Sequence, residues 1–106
     1  MPNVVEFVSF YLKKKISVSD FLIMSDRFNK EFLSKQKGYI SRKLLVDGDM
    51  WSDLVLWETM DDAKNAINIS YNDAVAREYV SMLSFNKKGC ILRHLSVERD
   101  YITAPI

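Results

Sequence analysis

The stretch Val4-Val5-Glu6-Phe7-Val8-Ser9-Phe10-Tyr11-Leu12 is dense in β-branched and aromatic residues and reads as a strand. Side chains alternate between the two faces of a strand. Val5, Phe7 and Tyr11 therefore share one face, while Val4, Val8, Phe10 and Leu12 share the other. A strand apolar on both sides belongs in a sheet that is covered on both sides.

Working outward, the triplet Lys13-Lys14-Lys15 ends this strand, and Ser17 or Ser19 is placed to cap a following helix. Phe21, Met24, Phe28 and Phe32 recur at helical spacing, and Asp26–Lys30 and Glu31–Lys35 are spaced to pair on the solvent side. Gly38 suits the left-handed position after the helix. Tyr39 to Val46 reads as a second strand, Asp47-Gly48 as a hairpin turn, and Trp51 to Glu58 as a third strand. Thr59-Met60-Asp61-Asp62 resembles a capping box, and Met60, Ala63 and Ile67 form one face of a second helix. Ser70 to Asp73 interrupts that helix, and Val75, Tyr79, Met82 and Leu83 resume a helical face. Asn86 to Gly89 is a loop, Cys90 to Val97 a fourth strand, and Asp100 to Ile106 a tail.

The order is βαββαβ, a ferredoxin-like α+β arrangement with a four-stranded antiparallel sheet and helices on one face, and residues 1–106 read as one domain. The third strand repeats the anomaly of the first, with Val55 and Trp57 opposed to Leu54 and Leu56. In the fourth, Ile91, Leu95 and Val97 oppose Leu92. Helices on one face cannot cover the other, and leaving its large apolar side chains wet forfeits about 1.5–3 kcal/mol each. A homodimer with the two sheets facing each other is the expected remedy.

Fifteen Lys and Arg against 14 Asp and Glu leave no field to gather nucleic acid or anionic lipid. No stretch approaches the roughly 20 apolar residues that span a bilayer. The single Cys90 excludes an internal disulfide, so a cytoplasmic protein is the expectation. Lys37-Gly38-Tyr39 opens like an RNA-recognition signature, but Ile40 and Ser41 stand where a small residue and a stacking aromatic are needed.

Candidate chemistry is sparse. His94 and Cys90, four apart on one strand face, lie roughly 13 Å apart and make neither a metal site nor a nucleophilic pair. Trp57 closes the third strand just before a helix N-terminus, where ligand sites form, or else it is core. Asp53 shares its face, and a carboxylate there needs a partner or water: Arg77, Arg93 and Arg42 are the candidates. His94 is either an acid–base group or a satisfied rim residue.

The runs Gly38 to Leu45 and Asp53 to Ala63, with Trp57-Glu58-Thr59 leading to Ala63, resemble the dimeric α+β barrel superfamily, in the style of its antibiotic biosynthesis monooxygenase-like group. The resemblance spans roughly Val4 to Arg99 and is specific for fold. It implies a cofactor-independent monooxygenase acting on a small aromatic phenol or quinol. Its site would join Trp57, Asp53, Arg77 and His94, with Tyr11 and Trp57 contacting substrate. Two departures stand out: Asp53 occupies the place of an Asn, and Ala63 that of a Tyr. The haem-degrading branch is not matched, since Ala76 falls where its axial His belongs, so no cofactor is expected. The alternative is a non-catalytic dimeric module that binds a hydrophobic ligand or a protein.

Overall fold

A computed structural model describes residues 3–102. Strand β1 (Val4–Leu12) leads into helix α1 (Val18–Glu31) and a 3-10 turn (Leu33–Lys35), then β2 (Tyr39–Asp47) and β3 (Met50–Trp57). Helices α2 (Met60–Ser70) and α3 (Ala74–Ser81) follow, then the short β4 (Leu83–Ser84) and β5 (Leu92–Ser96). The α+β fold is thus ferredoxin-like as expected, but its antiparallel sheet has five strands, ordered β2-β3-β1-β4 with β5 also on β1.

The extra strand is the one departure in architecture. The last strand is split, with β4 pairing Tyr11–Leu12 and β5 pairing Val4–Val8. The bond from Ser9 N–H to the Ile91 carbonyl, at 2.9 Å, rejoins the chain to β1 after an excursion. Leu83, read from sequence as helical, instead opens β4 and is buried. In the tail, residues 97–102 carry no regular structure, and 103–106 lie outside the described residues.

Caps settle the helix ends. Ser17 Oγ accepts from Asp20 N–H at 3.1 Å, Thr59 Oγ1 from Asp62 N–H at 3.0 Å, and Asp73 Oδ2 from Ala76 N–H at 2.9 Å. The Asp73 cap is why α2 and α3 are two helices. Neither Asp26–Lys30 nor Glu31–Lys35 forms among the described ion pairs. Arg27 takes Glu31 at 3.0 Å and Glu78 at 3.1 Å instead, because α1 ends at Glu31 and leaves Lys35 on the 3-10 turn.

Even-numbered residues of β1 and odd-numbered residues of β3 face the helices. Val4, Val55, Trp57, Phe32 and Ala66 form one apolar cluster there, and Phe10, Trp51, Phe21, Met24 and Tyr79 another. On β2 a bulge between Tyr39 and Ser41 shifts the parity, so that both Tyr39 and Arg42 point inward. Gly38, at φ +82°, precedes the bulge, and a Cβ there would collide with the Asp62 side chain. Its carbonyl accepts from Glu58 N–H at 2.8 Å, tying the start of β2 to the end of β3.

The opposite sheet face carries Val5, Phe7, Leu54 and Leu56, all half-buried, with Leu45 and Leu95 exposed. No described helix is long and apolar enough to cross a membrane.

Candidate functional site

Four ionisable side chains form a row across four strands beneath the helices. His94 on β5 pairs in register with Glu6 on β1. Glu6 opposes Val55 and Val8 opposes Asp53, so Glu6 and Asp53 are diagonal neighbours on one face. Arg42 opposes Val55 on β2 and is diagonal to Asp53 in turn.

At the Arg42 end every polar group is partnered. Arg42 Nε donates to Asp53 Oδ1 at 2.8 Å, and its other nitrogens donate to Ser25 Oγ at 2.8 Å and the Ser25 carbonyl at 3.2 Å. Tyr79 Oη accepts from Arg42 at 3.0 Å and donates to Asp53 Oδ2 at 2.7 Å. Phe28 stacks on Tyr79 with ring centroids 4.2 Å apart, and the guanidinium lies 5.3 Å from the Phe28 centroid. Burial, then the neighbouring Asp53 carboxylate, pushes the Tyr79 phenol far above its ordinary range, so it stays a neutral donor. Burial opposes the Arg42 charge, but Asp53 and Tyr79 outweigh it and hold the guanidinium protonated.

The other end is less complete. His94 Nε2 and Glu6 Oε2 are 2.8 Å apart. Burial raises the pKa of Glu6, an effect that the hydrogen bond and charge of His94 only partly offset and that nearby Asp53 reinforces. Beside it, Trp57 is fully buried, and its Nε1–H has no hydrogen-bond acceptor. That N–H still lies close enough to Glu6 to favour the ionised carboxyl, an influence weaker than a formed bond. Glu6 and Trp57 line a chamber of about 70 Å³ walled by Phe28, Phe32, Leu33 and the α2 residues Ala66, Ile67 and Ser70.

The structure brings together three of the residues singled out from sequence: Trp57, Asp53 and His94 face the helices. Arg77 does not join them. Ala76 and Tyr79 take the inward face of α3, which leaves Arg77 exposed on a separate cleft. Tyr11 has the parity of Phe7 and faces the other way, with Lys87 Nζ 4.8 Å from its ring. Of the three arginines considered for Asp53, Arg42 is the partner. Glu6 was missed, although it shares its face with Val4 and Val8, the same anomaly that draws attention to Asp53. Among the described residues no three His, Cys, Asp or Glu side chains could hold a metal ion together.

No family model matches the chain, and no curated protein does. Solved structures do. The chain superposes on a variant of SnoaB, a cofactor-independent oxygenase from Streptomyces nogalater, with a TM-score of 0.72 at 13% identity, over 94% of this chain and 97% of that one. A monooxygenase from the gene ActVA-Orf6 of Streptomyces coelicolor, solved with the ligand nanaomycin D, gives 0.66 at 13% identity, over 97% and 94%. A dimeric ferredoxin-like protein from an uncultured marine organism gives 0.63 at 8% identity, over 98% and 95%. The chain therefore shares the ferredoxin-like α+β fold of these proteins. At these identities the likeness is one of fold.

Proposed function

We propose that the protein is an oxygenase needing neither metal nor organic cofactor, acting on a small electron-rich phenol or quinol in the chamber beside Trp57. The observation that carries this reading is the buried, unpartnered Trp57 Nε1–H on a cavity wall shared with Glu6. A buried donor without an acceptor is costly in a resting protein and useful where a substrate oxygen arrives. The monooxygenases of the same fold support the reaction class.

In this reading Glu6 is the base. Its raised pKa makes it a better proton acceptor than an ordinary carboxylate, and His94 at 2.8 Å steadies the pair. Trp57 Nε1–H donates to the oxygen on which charge develops once the phenolic proton leaves. The electron-rich anion reduces dioxygen by one electron, and the two radicals join at a ring carbon, ortho or para to the phenolic oxygen, that bears one hydrogen. The O–O bond then breaks: one oxygen stays as a carbonyl, and the other leaves as water with that hydrogen and the phenolic proton returned by Glu6. The substrate supplies all the electrons. Asp53 is a scaffold here, since Arg42 and Tyr79 engage its two oxygens.

The chamber is about 70 Å³, against roughly 150 Å³ for a cavity that accepts benzene, so a single ring enters only if Ile67 or Ser70 gives way. This tightness also favours the second reading, a non-catalytic dimeric module with a filled core.

Oxygen uptake with a panel of one- and two-ring phenols and quinols separates the two. Glu6→Gln and Trp57→Phe should each cut turnover by about 100-fold or more while the fold is kept. Uptake unaffected by both substitutions, or absent across the panel, ends the oxygenase reading.

We also propose a homodimer formed by the open sheet face, with the cytoplasm as its compartment. Phe7, Leu54 and Leu56 lie at the centre of that face, and Leu45 and Leu95, 39% and 40% exposed, at its sides. Light scattering should give twice the 12.4 kDa protomer mass, and Leu54→Glu should halve it. A parent protein that runs at 12.4 kDa at micromolar concentration removes the dimer.

A further inference from the structure

A second cavity, far larger than the Trp57 chamber, opens between α3 and β4 with a volume of about 530 Å³. That is within the roughly 300–1,000 Å³ range of small-molecule sites. Two cations line it, Lys13 from the end of β1 and Arg77 from α3, and no carboxylate does. Neither cation makes an ion pair or a side-chain hydrogen bond among the described residues. Most of the lining is apolar, and three of its members, Tyr71, Val80 and Phe85, are 67%, 48% and 45% exposed. Large apolar groups gathered at one opening beside uncommitted cations are unfavourable for the empty protein and complementary to one kind of guest.

We infer that this cleft binds a small organic anion with a flat apolar body, of the aryl carboxylate class. The Arg77 guanidinium can meet both carboxylate oxygens side by side, Lys13 adds a point charge, and Phe85 and Tyr71 supply aromatic surface for the body. A bare inorganic anion would leave the apolar walls unused. The inference does not depend on the proposed oxygenase, because Trp57 and Glu6 do not line this cleft.

Calorimetric titration of the full chain with 1-naphthoate tests it, with 1-naphthalenemethanol and inorganic phosphate as the uncharged and ring-free controls. Naphthoate should bind saturably, and each control about tenfold or more weakly. Arg77→Gln and Lys13→Gln, both surface changes that break no ion pair or side-chain hydrogen bond among the described residues, should each weaken naphthoate by about tenfold, the effect of one charge-assisted hydrogen bond. Trp57→Phe should leave naphthoate binding unchanged. Absence of binding, equal affinity for the neutral alcohol, indifference to both cation substitutions, or loss of binding in Trp57→Phe would each overturn the site. The last result would move the ligand to the inner chamber without judging whether turnover occurs there.

Discussion

Glu6 and Asp53 are the same kind of group in nearly the same place. They are diagonal neighbours on adjacent strands, face the same helices and are 8% and 7% exposed. Their surroundings differ. Asp53 has a guanidinium and a phenol on its two oxygens, and the helices pack over it. Glu6 has one imidazole, from the edge strand β5, and a cavity beside it. Burial alone does not distinguish a structural carboxylate from a reactive one. What distinguishes them is how many of the desolvated lone pairs are repaid by partners.

The sharpest way to break this contrast is to remove Arg42. Arg42→Ala removes the counter-charge of Asp53 under the helices, leaving it only the Tyr79 hydroxyl, and should cost about 3–5 kcal/mol in urea unfolding at fixed protein concentration. A cost below about 1 kcal/mol would mean that the pair is not the fixed end of the row. Tyr79→Phe keeps the ring stack and deletes only the hydroxyl, so about 1–3 kcal/mol should be lost.

The smallest effect concerns pH and separates the two ends. Glu6 holds its proton more tightly folded than unfolded, so the folded state binds more protons once pH passes the ordinary carboxyl value of 4.5. Stability contributed by Glu6 is full below that value and falls as pH rises towards the folded pKa. Glu6→Gln removes this loss. The variant should therefore gain on the parent as pH goes from 4 to 7, read as the difference in urea midpoints. A gap that does not move with pH would mean that Glu6 is solvated like any surface carboxylate.

Much of this was legible in the chain. The alternation in Val4–Leu12 and Trp51–Trp57 assigned side chains to faces correctly, because a strand has only two. Ser70–Asp73 announced the break between the second and third helices, and the structure adds that Asp73 caps the third. The split last strand was harder: Leu83 satisfies a helical stripe and a two-residue strand equally well. Arg42 could be placed among three candidates but not chosen. Tyr39 and Arg42 differ in parity, and only the bulge lets both turn inward. Glu6 had a readable signal in its parity with Val4 and Val8. The Tyr79 hydroxyl had none, because its meeting with Asp53 depends on where α3 comes to rest on the sheet.

Gly38 sets a condition on all of this. It abuts Asp62 where no side chain fits, and its carbonyl grips the residue directly after Trp57. The backbone that carries the indole is thereby held to the start of β2. A bulkier residue at position 38 would have to pry the second helix away from the sheet, and the angle of Trp57 would change along with it. For an engineer wishing to enlarge the chamber, the α2 wall is the workable material and this corner is the part to leave alone.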